Sequence, residues 1–379
     1  VFCSHRVSSH PGMEQRAATA CLHAKLQPLM IDFLASVQRS MIQVGLECPV
    51  TIICGNGSGA SLEEVAERAA VTMASGPAAT ARFGATAGKK NALVVDVGGT
   101  TTDVCMLKDG HTVMSNKGCR IDRWQTHVQA IDMYTAAGGG DSHIICTSEG
   151  KLTLLPTRVQ PLAMTSDIPD PGDWLGRGKS GTLILPASAG ANPDDPVLAC
   201  LSREGPLTST AIAQKSGVGG IVLEKRIERL FFLQQIGITG FTPTDALHVS
   251  GRLNLGDSRM ARKGAEALAA ELGCSVEDLC QQVLTLTEDV IEKTILDYLG
   301  RAVWGEQKAV PFLNYRDNDL FFVNFSLKLP LIGIGAAAKA FLPNVAKRLQ
   351  TTVFFPELFE TGNAIGAALI GMENIQDSP

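Results

Sequence analysis

The segment Asp96–Asp103, which reads DVGGTTTD, constrains the fold of this chain more than any other feature of its sequence. It begins where an apolar, strand-like run at residues 92–95 ends, and it contains two glycines followed by three threonines. Glycine lets backbone N–H groups approach phosphate oxygens closely, and threonine hydroxyls add further donors. A carboxylate at either end of such a turn can hold Mg²⁺ directly or through its water ligands. The segment therefore predicts a phosphate-binding turn that follows a β-strand.

Two common phosphate-binding motifs do not describe this segment. The chain contains no GxxxxGK[ST] sequence and so has no Walker P-loop. The segment is also not a GxGxxG turn that opens a helix, because residues 103–115 alternate like a β-hairpin with Asp109 and Gly110 at its turn. A plain β-hairpin with a polar turn is the alternative, but such a turn does not need three consecutive threonines.

Composition limits the classes to which the protein can belong. Its 379 residues, 45% of them hydrophobic and 19% charged, suffice for two packed domains of a globular protein. The net charge of −5 argues against a nucleic-acid partner, because no surplus of basic residues is present for phosphate contacts. No apolar run reaches the length of a membrane span, and the N-terminus has no signal-peptide apolar region, so we expect a cytoplasmic protein without a membrane partner.

Hydrophobic periodicity and turn residues predict an α/β order of elements. The predicted strands are Phe2–Val7, Val50–Cys54, Ala92–Asp96, the hairpin at 103–115 and Thr352–Phe355. The predicted helices are Ala17–Val44 (kinked or divided at Pro28), one opened by a capping box at Ser61, Ala78–Ala87, Gly220–Gly237, residues 257–272 and Val276–Tyr298. Residues 155–219 lack sustained periodicity, which predicts an insertion of short strands and exposed loops.

Two further glycine-rich turns are candidate ligand contacts. Gly138, Gly139 and Gly140 follow an apolar stretch, and three successive glycines suggest backbone that lies close to a ligand or to another backbone segment. Gly333 and Gly335 lie where an apolar strand turns into a helix, the kind of turn that packs beneath the adenosine in cleft ATPases. Each pattern is weak evidence by itself, since flexible turns and ordinary strand–helix connections have the same sequence pattern.

Taken together and in order, the motifs resemble the hydantoinase/oxoprolinase A-type family of ATP-dependent lactam-ring openers. That family includes N-methylhydantoinase A and 5-oxoprolinase, and it has carboxylase relatives such as the acetone carboxylase beta subunit. The resemblance runs along nearly the whole chain. It rests on Ser4–Ser8 with Glu14–Arg16, Cys54–Gly57, Ser75–Ala78, Asp96–Asp103, Ala137–Ser142, Thr242–Ala246 with Gly251–Leu253, Gly333–Gly335 and Asn363–Ala367.

The resemblance implies an α/β, actin-like (ribonuclease H-like) two-lobed ATPase fold of the actin, Hsp70 and sugar-kinase superfamily. Residues 1–90 would be the remainder of the first lobe, and 91–330 the second lobe with a loop-rich insertion at about 155–219. Residues 331–379 would supply the adenosine-side turn and a C-terminal helix that returns to the first lobe. Family members usually carry another DxGGT loop in the first lobe, and none occurs here, so we expect the first lobe to be incomplete in this chain.

The resemblance also implies an activity, cofactors and partners. ATP, with Mg²⁺, would phosphorylate the carbonyl oxygen of a small cyclic amide, such as a hydantoin or an oxoproline-like lactam, and the ring would then be opened. A B-type hydantoinase/oxoprolinase subunit is the expected partner, or the chain forms a homo-oligomer. Three alternatives stay open, namely an ATP-using carboxylase subunit of the same family, a non-catalytic half-clamp subunit and an Hsp70-like chaperone.

Specific residues follow from the matched motifs. Asp96 and Asp103 are expected to organise Mg²⁺ and to orient the attacking group. Asp132 is expected either to contact substrate or metal or to serve as a structural cap. The expected nucleotide contacts are Gly98, Gly99, Thr100, Thr101, Gly138, Gly139, Gly140, Gly333 and Gly335. The family's glycine triplet usually ends in GGGS, whereas Asp141 stands here before Ser142, so an extra carboxylate is expected to face the site.

Other polar residues have structural explanations of similar or greater weight. Asp245, in Thr-Pro-Thr-Asp-Ala, is as well explained by capping of a following helix as by a functional role. Histidines 127, 143 and 248 and cysteines 119 and 146 have irregular spacings, which favour ordinary core or surface positions over a metal site. The ten cysteines contain no CxxC pair and are expected to be reduced thiols.

Overall fold

The structure is a computed structural model that describes residues 3–121, 124–176, 178–186, 194–305 and 323–376. It has a mixed α/β architecture. The helices of the described residues are α1 (Met13–Gln43), α2 (Leu62–Glu67), α3 (Ser75–Ala85), α4 (Pro171–Trp174), α5 (Pro196–Glu204), α6 (Ser209–Ser216), α7 (Gly220–Phe232), α8 (Pro243–Val249), α9 (Ser258–Leu272), α10 (Val276–Trp304), α11 (Ala338–Arg348) and α12 (Gly362–Gln376). The strands are β1 (Ile52–Ile53), β2 (Gly59–Ala60), β3 (Ala92–Val97), β4 (Thr101–Lys108), β5 (His111–Thr112), β6 (Arg120–Ile121), β7 (Trp124–Gln125), β8 (Met133–Ala137), β9 (Ser142–Cys146), β10 (Leu152–Arg158), β11 (Gln160–Pro161), β12 (Leu183–Pro186), β13 (Ile236–Gly240), β14 (Leu331–Ile334) and β15 (Val353–Phe354).

Two compact units make up the chain. The first unit contains Val1–Val97, Asp103–Thr135 and Lys293–Pro379, and the second contains Gly98–Thr102 and Ala136–Glu292. β3 therefore belongs to the first unit, whereas the sequence analysis began a new lobe at residue 91. The difference arises because β3 pairs with β14 and shares an apolar core with α3, and both elements belong to the first unit. The division into ATPase lobes stays a prediction.

The first unit is built on a six-stranded sheet in the order β15–β14–β3–β4–β5, with β8 paired to β4. β14 runs parallel to β3, so that Leu331 lies opposite Leu93 and Ile334 lies opposite Asp96. β15 is parallel to β14, whereas β4 and β5 are antiparallel. The hairpin predicted at residues 103–115 is confirmed by the pairing of β4 with β5.

Burial explains why the sheet holds Asp96 at the end of a rigid strand. Residues 92–95 of β3 are at most 1% exposed, whereas Asp96 itself is half-buried. α3 packs closely against α12. Gly366 of α12 lies so near the backbone carbonyl of Ala79 that a Cβ on this glycine would overlap it. This close packing fixes the position of Thr80, the next residue of α3.

The N-terminal segment differs from two sequence predictions. Ser4–Arg6 form a 3₁₀ helix where a strand was predicted at Phe2–Val7, of which residue 2 lies outside the described residues. The peptide N–H of Ser8 donates to the carbonyl of Ser4, so these backbone groups form a local hydrogen bond and not one to a neighbouring strand. α1 continues through Pro28 and is not divided there, since one missing N–H leaves the rest of a 31-residue helix bonded.

The second unit contains two small sheets and most of the short helices. β9 and β10 form an antiparallel pair, and β13 lies between β11 and β12. A core of buried aliphatic residues joins this three-stranded sheet to α5, α6 and α7; it consists of Ile184, Val197, Leu198, Leu201, Ile212, Leu223, Leu230 and Ile236. The second unit therefore has a hydrophobic core of its own.

Helices α5 and α6 correct the prediction of loops at residues 155–219. Asp195 caps α5 by accepting from the N–H groups of Val197 and Leu198, and Thr208 caps α6 by accepting from Ala211. These helices span only nine and eight residues, which is too short for a clear helical period in a Pro- and Gly-rich stretch. In the described part of the chain, no helix has the length and apolar character needed to cross a membrane.

Candidate functional site

Asp96 and Asp103, both in the first unit, face the same small space. Asp96 lies near the end of β3 and Asp103 on β4, and together with Thr80 and Cys105 they line a cavity of about 10 Å³. This volume is close to that of one water molecule. Mg²⁺ in proteins commonly takes one or two carboxylates and completes its shell with water and phosphate oxygens. The two aspartates predicted to organise Mg²⁺ are therefore brought together on adjacent strands.

A hydrogen bond and burial determine the orientation and the pKa of the Asp96 carboxyl group. The hydroxyl of Thr80 donates to Oδ2 of Asp96 over 2.9 Å. Burial raises the pKa of the Asp96 carboxyl, and the Thr80 hydrogen bond opposes this shift. Burial disfavours the charged form of a carboxyl group, and a nearby cation favours it. The position of Asp96 is thus one at which a bound cation would stabilise the carboxylate.

The turn after β14 lies directly against Asp96. Gly335 has a φ of +94°, and a Cβ at this position would overlap Oδ1 of Asp96 and the carbonyl of Val97. The N–H of Gly335 donates to the carbonyl of Phe359 over 2.9 Å, and that of Ala337 donates to Val97 over 3.2 Å. Both the left-handed backbone and the close approach require glycine at residue 335.

Gly333, the other glycine predicted at this turn, is buried within β14. A Cβ there would lie 2.5 Å from the ring of Phe355 and 2.8 Å from Leu342. The structure therefore gives Gly333 a packing contact with side chains of its own unit. Its predicted contact with adenosine remains a prediction.

In the second unit, the turn at residues 98–102 pairs with the glycine triplet. Gly98 accepts a hydrogen bond from the N–H of Gly140 over 3.0 Å, and Gly99 accepts one from the N–H of Asp141 over 2.6 Å. Gly139 packs so tightly on this turn that a Cβ would lie 2.8 Å from the carbonyl carbon of Gly99. Two glycine segments predicted as separate nucleotide contacts thus form one backbone cluster.

The threonines of the turn complete this cluster. The N–H of Gly138 donates to the carbonyl of Thr100 over 2.9 Å, and the hydroxyl of Thr102 donates to the carbonyl of Gly138 over 2.8 Å. Among the residues that the structure describes, no acceptor pairs with the N–H of Gly99 or Thr100. The turn therefore uses its carbonyls internally and keeps adjacent N–H groups as donors, the arrangement that binds anions.

Asp141 places an extra carboxylate beside this turn, as its position in the sequence suggested. A Cβ on Gly99 would lie 2.9 Å from the Asp141 Cγ atom. The guanidinium of Arg158 lies 3.2 Å from Oδ2 of Asp141 and offsets its charge. Thr244 donates to the carbonyl of Gly140 through both its N–H and its hydroxyl, each over 2.8 Å.

Sequence reasoning missed Arg158 and Thr244 as neighbours of the turn. Thr244 belongs to the Thr-Pro-Thr-Asp-Ala motif, in which only Asp245 was considered as a functional candidate. No local pattern marks Arg158, which reaches Asp141 from the end of β10. A pairing between β9 and β10 was the missing information.

Asp132 lies in the first unit and contacts Tyr298. The Tyr298 hydroxyl donates to Oδ2 of Asp132 over 3.3 Å. Burial raises the pKa of the Asp132 carboxyl, and the hydrogen bond from Tyr298 opposes that shift. Asp132 is not among the residues that line the small cavity beside Asp96. Its contact with substrate or metal remains a prediction.

Asp245 has a structural role in the second unit. It forms a capping box with Thr242 at the start of α8, and its Oδ1 also accepts from the N–H of Ala163 over 2.8 Å. Burial raises its pKa to about 7, although these hydrogen bonds favour the carboxylate. The capping interpretation of this aspartate is therefore confirmed.

The histidines and cysteines considered for a metal site occupy separate positions. His143 is buried, and its Nε2 lies 3.0 Å from the carbonyl of Gly181. In the described ranges, no three His, Cys, Asp or Glu side chains group closely enough to hold a metal ion.

Comparison with known proteins identifies relatives of this chain. A family model described as hydantoinase/oxoprolinase matches residues 16–309. The caprolactamase subunit alpha of Pseudomonas jessenii is 30% identical over 146 residues, which are 38% of this chain and 21% of that protein. The acetophenone carboxylase gamma subunit of Aromatoleum aromaticum is 30% identical over 146 residues, which are 38% of this chain and 20% of that protein.

Two solved structures share the fold. The nucleotide-free structure of acetone carboxylase superposes with a TM-score of 0.61 at 16% identity, covering 96% of this chain and 41% of that one. The ATP-dependent caprolactamase from Pseudomonas jessenii superposes with a TM-score of 0.52 at 22% identity, covering 96% of this chain and 42% of that one. The chain thus spans about two fifths of the solved chains that it matches. Because the family model covers most of its length, the chain belongs to the hydantoinase/oxoprolinase family.

Proposed function

We propose that this chain is an enzyme subunit that binds ATP with Mg²⁺ through Asp96–Asp103 and uses it to activate the carbonyl group of a small cyclic amide. The observation that carries the proposal is the hydrogen-bonding state of the turn. Its carbonyls accept from the glycine triplet, while the N–H groups of Gly99 and Thr100 have no acceptor among the described residues. Such donors suit phosphate oxygens, and the carboxylates of Asp96 and Asp103, which flank the turn in the sequence, suit Mg²⁺.

An actin-like ATPase lobe is part of the same proposal. The strand that leads to Asp96 has a hairpin on one side and two parallel strands on the other, in the order β5–β4–β3–β14–β15. This order supports a ribonuclease H-like core, in which a phosphate turn connects the first two strands of the sheet. The resemblance of Asp96–Asp103 to the superfamily's phosphate loop supports it independently.

The residues of the turn would act mainly by position and charge. Bound ATP would supply the phosphoryl group that activates the carbonyl oxygen. Gly99 and Thr100 would hold phosphate oxygens through their N–H groups, and Asp96, oriented by Thr80, would hold the metal. Phosphoryl transfer requires little covalent participation from the protein, so orientation and charge neutralisation account for most of the expected catalysis.

The choice between amide and ketone substrates depends on the relatives. One curated relative is a caprolactamase subunit, which supports a cyclic amide. The other is an acetophenone carboxylase subunit, which supports the carboxylase alternative to the same degree. Both relatives are named as subunits, and this supports a partner chain such as a B-type subunit. A non-catalytic half-clamp subunit is the third reading.

Phosphate release from ATP tests these alternatives. The chain would be assayed with Mg²⁺ alone, with hydantoin or 2-pyrrolidone, and with acetone plus bicarbonate, alongside the Asp96→Asn variant. Stimulation by the cyclic amides, lost in the variant, is the expected result. Stimulation by acetone and bicarbonate alone would favour the carboxylase instead. ATP binding with no stimulation by either set would support the non-catalytic reading.

A further inference from the structure

A second cavity is separate from the small space beside Asp96. It has a volume of about 460 Å³, within the usual range for small-molecule sites. It lies wholly in the first unit, between the N-terminal segment, the turn that joins β1 to β2, α2 and residues 127–129. Most of its lining side chains are polar. No residue predicted as an ATP contact lines it.

Two oppositely charged residues line this cavity, Glu64 in the first turn of α2 and Arg68 at its C-cap. The backbone N–H of Arg68 donates to the carbonyl of Glu64 over 2.8 Å, so the two residues lie one turn apart. Among the described residues, no ion pair joins the Arg68 guanidinium to the Glu64 carboxylate. Glu64 uses only Oε2 in the capping box with Ser61. The wall therefore contains both a guanidinium donor and a carboxylate acceptor.

Two histidines on the wall favour a ligand without net charge. His23 is 1% exposed, and its Nδ1 accepts from the N–H of Ala70 over 3.2 Å, so its Nε2 carries the hydrogen in the neutral ring. Burial, and next the charge of Arg68, lower the pKa of His23 to about 4. The pKa of His127 is lowered as well, by burial and then by His10. An anion near Arg68 would thus meet neutral rings and the negative charge of Glu64.

We infer that this cavity binds a small molecule that presents a carbonyl oxygen and an N–H group side by side, with Arg68 donating to the oxygen and Glu64 accepting from the N–H. The amide edge of a small lactam or cyclic ureide has this arrangement, because the ring holds the amide cis. A linear secondary amide is trans and directs the two groups to opposite sides. The inference rests on the proposed function, because it takes this cavity as the binding site of the cyclic amide substrate.

Ligand-observed NMR on the full chain tests the inference with four small probes. The probes are 2-pyrrolidone, N-methyl-2-pyrrolidone (which lacks the N–H), linear N-methylacetamide and acetate. The cyclic amide with its N–H is expected to bind about tenfold more tightly than each of the other three, because they lose one hydrogen bond or meet Glu64. Equal binding of all the neutral probes, or preferred binding of acetate, would overturn the inference.

Two variants and matched controls locate the binding. Glu64→Gln keeps a residue type that also serves in a capping box, and Arg68→Gln removes the guanidinium. Each is expected to weaken 2-pyrrolidone binding about tenfold. Glu67→Gln, an exposed position on the same helix that does not line the cavity, and Arg39→Gln on α1 should leave binding unchanged. Binding that survives both cavity variants would place the amide elsewhere and overturn the inference.

ATP binding separates this inference from the proposed function. Calorimetry with ATP and Mg²⁺ would be run on the same preparations. Retained ATP binding with no binding of 2-pyrrolidone overturns the cavity inference alone. Binding of 2-pyrrolidone that depends on Glu64 and Arg68, in a protein that does not bind ATP, supports the cavity inference and contradicts the proposed function.

Discussion

The hydroxyl of Thr80 donates a hydrogen bond of 2.9 Å to Oδ2 of Asp96, and the same oxygen of Thr80 accepts from Nδ2 of Asn363 over 3.3 Å. Nδ2 of Asn363 also donates to the carbonyl of Gly76 over 3.0 Å. Because Asn363 can only donate through Nδ2, the Thr80 hydrogen is left to point at Asp96. Asn363 thus connects the motif at residues 75–78 to Thr80, which binds the aspartate expected to hold Mg²⁺.

Replacing Thr80 by valine should weaken ATP binding without unfolding the protein. Valine has nearly the same shape, but the Asp96 carboxylate loses its orienting donor, and the Asn363 amide loses one of its two acceptors and keeps the carbonyl of Gly76. We expect a loss of about 1 kcal/mol in stability and about fivefold in affinity for ATP with Mg²⁺. Thr86→Val, which removes a local hydroxyl bond to Phe83 at the end of α3, is the control for affinity. Equal affinities in wild type and Thr80→Val would show that this hydrogen bond does not position the metal site.

Gly335→Ala should disturb Asp96 from the opposite side. The substitution adds a Cβ where Oδ1 of Asp96 lies, and it forces alanine to a φ of +94°. Gly88→Ala imposes a comparable positive φ, +70°, with no atom within 4 Å of the new Cβ. We expect chemical denaturation to show a loss of about 1 kcal/mol for Gly88→Ala and of at least about 2 kcal/mol for Gly335→Ala. ATP affinity should fall only in Gly335→Ala, and a fall of similar size in both variants would contradict the contact with Asp96.

Gly139→Ala should separate the glycine triplet from the phosphate turn. The new Cβ would collide with backbone atoms of Gly98 and Gly99, which cannot move as a flexible side chain can. We expect a destabilisation of about 1–3 kcal/mol, together with a measurable loss of ATP affinity. Gly219→Ala, in the same unit with open space around the Cβ, should change stability by no more than about 0.5 kcal/mol. Wild-type ATP affinity in Gly139→Ala would argue against a role of the cluster in nucleotide binding.

His23 should make stability depend on pH between about 5 and 6.5. Its pKa is lowered to about 4 in the folded protein from its ordinary value of about 6.5, so the unfolded chain binds more protons than the folded chain in this interval. Full stability is present at pH values well above 6.5, and it declines as the pH falls, with a loss of about 2 kcal/mol by pH 5.

Urea denaturation at several pH values measures this decline. His23→Asn keeps an acceptor for the Ala70 N–H but does not titrate, so its stability should fall by about 2 kcal/mol less than that of the wild type. His111→Asn, at an exposed position on β5, is the control and should follow the wild-type curve. Parallel curves for wild type and His23→Asn would contradict the assignment to His23.

The core of the first unit was predictable because its signals are local. Residues 92–95 form an uninterrupted apolar run, Asp109-Gly110 is a strong hairpin turn, and Ser61 with Glu64 forms the capping box that the sequence predicted. Each signal lies within a few residues of the element that it specifies, so no knowledge of the remaining chain was needed.

Contacts between distant segments were not predictable in the same way. The bond from Thr80 to Asp96 depends on how α3 packs on β3, and the ion pair of Arg158 with Asp141 depends on the pairing of β9 with β10. The capping residues Asp195 and Thr208 were present in the sequence, but two short helices in a Pro-rich stretch do not produce a clear period. Only packing makes these elements distinguishable from loops.

Calorimetric titration of the chain with ATP and Mg²⁺, in wild type, Asp96→Asn and Asp109→Asn, tests the central claim most directly. Asp109 lies in an exposed hairpin turn at a φ of +53°, which asparagine adopts readily, so its variant controls for the loss of a carboxylate. We predict micromolar binding in wild type and Asp109→Asn, and binding at least about tenfold weaker in Asp96→Asn. Equal binding by all three proteins, or no binding by the wild type, would contradict the claim that Asp96–Asp103 is a working nucleotide site.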